Sequence, residues 1–306
     1  MRLGNGSCLR AVTLILPSVL RLVGTTFLLS VFCLPLFAQG PDPQIELNLM
    51  TLPTTQSLRP KQSYFRLTHR FNRDLTLGKF SDLAKDLFAF DNGALLGLEY
   101  RIGVAPGIHA GLHRSTLHKT LQVFGRWDAV QQGEDSPFGI SALGTFEGLD
   151  NLQDGYQPGV GAVLSKTFGR AVALYASPIY VWGTFDAEQV AAELGEEDHG
   201  HDHIVPEPHD PEDDEHGEHE GEGTFFFGLG ARIRVRPSVF VVGEFSPRVS
   251  GHDPGDEMWA VGIEKSTRGH TLALTLTNSY ATTPGQIARG GTPGALYLGF
   301  NITRKF

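Results

Sequence analysis

From Ser63 to the C-terminus, apolar and polar residues alternate with period two, the pattern of strands that present two different faces. Residues 225–236 are the clearest stretch. Phe225, Phe227, Leu229, Ala231, Ile233 and Val235 share one face, and Phe226, Gly228, Gly230, Arg232, Arg234 and Arg236 share the other. Residues 271–280 set Leu272, Leu274, Leu276 and Tyr280 against Thr271, Thr275, Thr277 and Ser279, and the last stretch places Leu296, Leu298, Phe300, Ile302 and Phe306 on one side. The pattern predicts twelve strands, over 63–71, 94–102, 107–114, 119–130, 137–146, 157–167, 171–185, 224–236, 238–248, 257–266, 270–281 and 294–306. Many approach the ~9–11 residues that a tilted membrane strand needs, and ten or fourteen strands stay open as alternatives.

The connections separate a soluble sandwich from a membrane barrel. Odd-numbered connections are predicted to be the longer ones (72–93, 147–156, 186–223, 249–256 and 282–293), with 115–118 the exception. Even-numbered ones are tight (103–106, 131–136, 168–170, Pro237 and 267–269). Outer-membrane barrels combine short periplasmic turns with longer external loops, whereas a sandwich has no reason to sort loop length by parity. The expected fold class is therefore all-β, a single antiparallel transmembrane β-barrel of about twelve strands with both mature termini in the periplasm.

In such a barrel the apolar face meets lipid and the polar face lines the lumen. The strand assignment puts Arg66, Arg70, Glu99, Arg101, His109, His113, Arg126, Asp128, Arg232, Arg234, Arg236, Glu244, Arg248 and Glu264 in the lumen. A lumen tolerates this charge, while a sandwich core does not. The eight arginines facing four carboxylates fit either an anion-leaning pore or a lumen braced by Arg–carboxylate pairs. Aromatic residues near strand ends (Phe71, Tyr100, Trp127, Tyr180, Trp182, Trp259, Tyr280 and Tyr297) suit interfacial girdles. Phe300, Ile302 and the terminal Phe306 resemble the signal read by the barrel assembly machinery, with Arg304 interrupting the apolar alternation.

The chain start reads differently. Arg2, Arg10 and Arg21 are the charges before Asp42, residues 23–38 are apolar, and Ala38-Gln39 is a small-residue junction. These features predict a secretory signal peptide over 1–38. Both cysteines, Cys8 and Cys33, fall in it. Residues 39–62, with four prolines and no sustained period, are expected to form a periplasmic lead-in to a barrel over 63–306. No run of 18 apolar residues follows Ala38, so no later spanning helix is expected.

The run TLPTTQSLRPKQSYFRLTHRFN (51–72), with LFAFDNGALLGLEYRIGVAPGIHAGLHRSTLHKTLQVFGRWDAV (87–130), resembles a family of uncharacterised bacterial outer-membrane β-barrels that carry a domain of unknown function. Its firmest marks are His69-Arg70-Phe71 and Phe90-Asp91-Asn92-Gly93. The resemblance implies a barrel in the outer membrane of a Gram-negative bacterium and implies no activity.

One segment stands apart in composition. Residues 188–222, within the expected external loop 186–223, hold fifteen Asp or Glu, six His and no Lys or Arg. Removing them leaves 19 acidic residues against the 22 basic residues that follow residue 38, so the acidity of the chain is concentrated there. His199, His201, His203, His209, His216 and His219 are candidate ligands for Zn, Ni or Cu, since imidazole suits these borderline metals. In an extended segment His199, His201 and His203 share a face, which makes a multi-site chelator rather than a fixed cage. A solvated low-complexity loop has the same composition. No cofactor is needed by the barrel itself.

Other chemistry is weakly signalled. His109 and His113 lack a G-x-S-x-G partner, so a barrel hydrolase ranks behind polar lumen filler, and the chain is read as no enzyme. Ser81–Phe88 predicts one or two helical turns lying over the mouth or in the lumen as a plug. The arginines alternate into a lumen instead of forming a patch, which argues against nucleic acid. The expected partners are outer-membrane lipid, the barrel assembly machinery, and small solutes or metal ions. The leading expectation is a passive channel or transport accessory for small, anion-leaning solutes, followed by a scaffold displaying the metal-binding loop.

Overall fold

A computed structural model describes residues 43–184 and 222–306, apart from 88, 92 and 254. The strands are β1 (Ser63–Asp74), β2 (Ala94–Ala105), β3 (Ile108–Ser115), β4 (Leu121–Val130), β5 (Gly139–Leu149), β6 (Asp154–Phe168), β7 (Val172–Thr184), β8 (Glu222–Arg236), β9 (Val239–Ser246), β10 (Arg248–Ser250), β11 (Met258–Ser266), β12 (His270–Thr277) and β13 (Tyr297–Lys305). β10 resumes the path of β9 beyond Pro247 and pairs with β8, so the wall has twelve strands. Each pairs antiparallel with its neighbours, and β1 closes on β13 with Tyr64 opposite Lys305 and Leu67 opposite Ile302. Closure satisfies every edge, a requirement in lipid, where no water can pair a free N–H or C=O.

The alternation sorts the side chains as expected. Outward positions are apolar and exposed, among them Leu98, Ile102, Leu112, Ile140, Leu164, Leu174, Ile263 and Leu274. Inward positions are polar and buried, among them Arg66, Glu99, Arg126, Arg232 and Glu264. This inverted arrangement suits a wall standing in hydrocarbon. For description, the end holding Ser63 and Lys305 is the terminal end, and the opposite one is the loop end.

Connection lengths depart from expectation in two places. β5 and β6 run further than predicted, so their link shrinks to 150–153, while the β4–β5 link widens to 131–138. The asymmetry survives in the three longest connections, 75–93, 185–221 and 278–296, which all leave the loop end. The predicted helical turns appear as α1 (Phe80–Lys85), which buries none of its residues and so does not plug the lumen. The predicted signal peptide over 1–38 and nearly all of the predicted loop 186–223 lie outside the described residues.

Two segments that the alternation did not resolve fill the barrel instead. The lead-in does not stand apart from the barrel: from Glu46 to Thr55 it is buried within the ring of strands. It folds as a tight hairpin, with Asn48 bridging Pro53, Leu49 N–H donating to Leu52 O at 2.8 Å, and Thr54 N–H donating to Leu47 O at 3.0 Å. Leu49, Met50 and Leu52 at its tip join Phe226, Phe240, Val242 and Ala260 of the wall in one apolar cluster. The second segment is 278–296. Its first residues, predicted as the end of a strand, leave the ladder at Asn278, whose side-chain amide replaces main-chain bonds by accepting from Trp259 N–H (2.9 Å) and donating to Glu257 O (2.9 Å). The chain then turns inward into α2 (Pro284–Ala288), capped by Thr283, whose hydroxyl accepts from Gln286 N–H at 3.3 Å. Gly290 ends that helix at φ +85, the left-handed conformation that a C-terminal glycine supplies.

The sorting of faces yields a stability prediction. Leu274→Arg, on the lipid face near the middle of β12, is expected to destabilise the barrel in vesicles by ~2–4 kcal/mol, while Leu274→Ile stays near wild type. Denaturant titration of refolding into lipid vesicles measures both.

Candidate functional site

The lumen is the site that the strands build, and the hairpin and α2 occupy it. Lumen cations reach the hairpin chiefly through its main-chain carbonyls. Arg66 donates to Met50 O, which also accepts from Asn301 Nδ2 at 3.1 Å and from Arg70 Nη2 at 3.5 Å. Arg232 donates to Asn48 O at 2.8 Å and holds Glu264 in a two-bonded pair at 2.7 and 3.0 Å. Arg126 donates to Thr54 O and Gln56 O, and to Asp128 Oδ1 at 2.9 Å. Lys305 donates to Ile45 O at 2.6 Å. In the opposite sense, Glu244 accepts both Thr51 N–H and Leu52 N–H at 3.0 Å.

Side chains add register to this main-chain grip. The Asn48 amide donates to Glu99 at 3.2 Å and accepts from Arg101 Nη2 at 2.7 Å, while Arg101 also pairs with Glu99. Glu46 accepts from the Thr271 hydroxyl at 2.6 Å. Inward glycines of the wall make sockets for the apolar tip. A Cβ at Gly228 would stand 2.6 Å from Leu52 Cδ2, one at Gly262 would stand 2.9 Å from Met50 Sδ, and one at Gly230 would overlap Leu49. The glycines of the inward face of β8 are therefore explained by what approaches them.

At the loop end a second set of bonds fixes α2. Glu147 accepts from the Thr283 hydroxyl at 3.0 Å and from Gln122 Nε2 at 2.7 Å. Arg289 donates to Gln157 Oε1 at 2.8 Å, and Arg248 donates to Arg289 O at 3.3 Å. His118, in the β3–β4 connection, is pushed down to about 4 by burial and by the nearby Arg289 charge, so it is neutral at neutral pH. Between hairpin and α2 lies a cavity of about 30 Å³ lined by Asn48, Glu99, Arg101, Gln122, Thr282 and Ile287. That is room for about one water, not for a solute.

Of the lumen residues named from the sequence, Arg66, Arg70, Glu99, Arg101, His109, His113, Arg126, Asp128, Arg232, Glu244, Arg248 and Glu264 are buried inside the barrel. Arg234 is half-buried, with its guanidinium 5.3 Å above the Phe240 ring. Arg236 is exposed, because β8 ends there and the face it shares with Arg232 has run past the rim. His109 Nε2 lies 3.3 Å from Asp128 Oδ2, and His113 Nδ1 lies 3.8 Å from Glu99. The Ser141 hydroxyl donates to Asp128 at 2.7 Å rather than to a histidine, so these groups brace the wall and make no Ser–His pair. Phe300 and Ile302 stand on the outward face of β13, with Phe300 stacked on His69 at 4.6 Å. His199, His201, His203, His209, His216 and His219 lie outside the described residues.

Sequence reasoning missed Glu46, Asn48, Gln122, Glu147, Gln157, Arg289, Asn301 and Lys305. A signal for the first two existed: Ile45, Leu47 and Leu49 alternate with Glu46 and Asn48, a five-residue strand pattern too short to weigh against four prolines. The socket predicts that Gly230→Leu expels Leu49 and costs the closed lumen about 1–3 kcal/mol. Loss of hydrogen-exchange protection over 47–54 measures this, and unchanged protection contradicts it.

Residues 46–306, hairpin included, match the model of a family described as the membrane bound beta barrel domain (DUF5777). Among solved structures, a NanC porin aligns at 8% identity and TM-score 0.47, covering 80% of this chain and 100% of that one. The KdgM porin aligns at 8% and 0.44, covering 80% and 99%, and the outer membrane phospholipase A from Escherichia coli at 10% and 0.40, covering 86% and 95%. Likenesses this remote carry no argument about activity. No curated protein matches the chain in sequence.

Proposed function

This chain belongs to the DUF5777 family of membrane-bound β-barrels, and on that premise we propose that it is an outer-membrane channel for small, anion-leaning solutes, held closed at rest by its own N-terminal hairpin. The observation that carries this reading is the way the hairpin is held. Its carbonyls at Ile45, Asn48, Met50, Thr54 and Gln56 accept from Lys305, Arg232, Arg66, Arg70 and Arg126. A carbonyl and an anion are interchangeable acceptors for a guanidinium, and the anion is the stronger one. If the hairpin withdraws, these cations line the vacated path, and an excess of Arg and Lys over carboxylate favours anions. The hairpin is neighbour to the chain's own N-terminal side, so withdrawal toward the terminal end needs no strand to part. With that end in the periplasm, the long connections face outward.

Single-channel recording in planar bilayers tests the reading. The full barrel is expected to be closed for most of the record, and a variant lacking 43–56 to conduct steadily with anion preference. Arg232→Glu in that background lowers the preference. A variant that refolds, as judged by heat-modifiable gel migration, yet stays silent rules the channel out.

The same filled lumen supports a second reading, in which the barrel is a scaffold and the work is done by the acidic, His-rich segment 188–222. Borderline divalent metals are its natural ligands, through His199, His201, His203, His209, His216 and His219. Calorimetric titration with Zn²⁺ is expected to give micromolar-range binding that vanishes when 188–222 is deleted and is indifferent to Arg232→Glu. Binding that survives the deletion contradicts it.

A further inference from the structure

The two rims of the barrel differ in charge. At the terminal end Lys61, Arg170, Arg236, Lys265, Arg268 and Arg304 are exposed, against two exposed acids among the described residues, Glu134 and Asp135, both in the β4–β5 connection. At the loop end the exposed acids Asp91, Asp154, Asp253 and Asp256 face the exposed Lys79, Lys85 and Lys119, and the connection 185–221 adds a further surplus of acid by composition.

The position of three cations, Lys265, Arg304 and the half-buried Lys166, matters more than the number at this rim. On three strands the lipid-facing row reaches a cation at the terminal end: Val261, Ile263, then Lys265 on β11; Leu298, Phe300, Ile302, then Arg304 on β13; and Val160, Ala162, Leu164, then Lys166 on β6. The carboxylate beside Lys265, Glu264, points into the lumen and pairs with Arg232. Aromatic rings stand with the cations. Arg304 lies 4.7 Å over the Phe306 ring, and Lys166 lies 4.7 Å from Phe138 and 5.4 Å from Phe168. An aromatic ring sits where hydrocarbon gives way to head groups, and a long basic side chain beside it carries its charge outward to the phosphate level. A soluble anionic partner has no need of cations placed on the lipid face.

We propose that this basic collar is a docking surface for the head groups of anionic phospholipid, and that it seats the terminal end of the barrel in a leaflet that contains them. The attraction is the one that anionic leaflets exert on basic juxtamembrane residues, which falls off within a Debye length and weakens in salt. It fixes depth and orientation of the wall without contributing to the lumen, and it is independent of whether the hairpin moves.

The test uses the whole protein in nanodiscs of equal phosphatidylcholine and phosphatidylglycerol, with the lipids retained after detergent extraction quantified by mass spectrometry. The wild type is expected to retain phosphatidylglycerol over phosphatidylcholine, and Lys166→Gln/Lys265→Gln/Arg304→Gln to lose at least about tenfold of that preference. Lys79→Gln/Lys85→Gln/Lys119→Gln, which removes equal charge at the loop end, is expected to keep it. Lys166→Gln/Lys265→Gln/Arg268→Gln leaves the C-terminal strand intact and guards against a failure of assembly. Equal loss in the loop-end variant, or full retention in both collar variants, overturns the proposal.

Discussion

The structure turns on a shortage of carboxylates in a dry lumen. Arg66, Arg70, Arg101, Arg126, Arg232, Arg248 and Arg289 are all buried, and a guanidinium taken from water needs acceptors for its donors. Glu99, Asp128 and Glu264 supply some by direct pairing. Others come from main-chain carbonyls of the hairpin and of the segment around Arg289, and from the side-chain amide oxygens of Asn48, Gln157 and Asn301. A polypeptide inside the barrel is thus the complement that its charged wall requires. The reverse also holds, since an extended segment buried away from water must place its own carbonyls and N–H groups, and the wall receives them.

The interior is divided by the same economy. The half formed by β7 to β12 offers the hairpin tip small inward residues, Gly228, Gly230, Gly262, Ala260 and Ala273, and takes up Leu49, Met50 and Leu52 much as a soluble core does. The half formed by β1 to β5 offers charged and amide side chains to Asn48 and to the returning strand of the hairpin. The ten residues Glu46–Thr55 are held both by packing and by polar contacts, which fixes their register in two ways. That combination distinguishes a fitted occupant from a chain end that happens to lie in a wide lumen, and the family match beginning at residue 46 places both in one domain.

A hairpin bound by exchangeable polar bonds and by about three apolar side chains is compatible with release, whereas the twelve-stranded ladder is not. The hairpin is attached to the wall by side chains, whereas the wall is a closed ladder of main-chain bonds. The segment carrying α2 is intermediate. It is continuous with β12 and β13 at both ends, and its contacts with Glu147, Gln157 and Arg248 are side-chain bonds at the loop end.

How much of this was legible depended on range. Alternation is a local property: a strand between lipid and lumen must put Leu272, Leu274 and Leu276 on one side and Thr271, Thr275 and Thr277 on the other. Twelve strands, the closed ring and most of the lumen wall followed from it. Arg236 failed because alternation tells which face a residue shares and not where the wall stops. Asn278 failed because a strand-like pattern persisted after a side-chain amide had replaced the ladder. Residues 45–58 look like a lead-in on their own, since five alternating residues followed by a proline specify no partner. Their place was decided by groups far along the chain, Arg126, Arg232, Glu244 and Lys305, and by the glycine sockets of β8. The sequence by itself determined the barrel, because period-two patterning and the need to pair every backbone group act residue by residue. Only the tertiary structure decided that the barrel is filled, because that depends on buried charges finding acceptors 70 to 260 residues away.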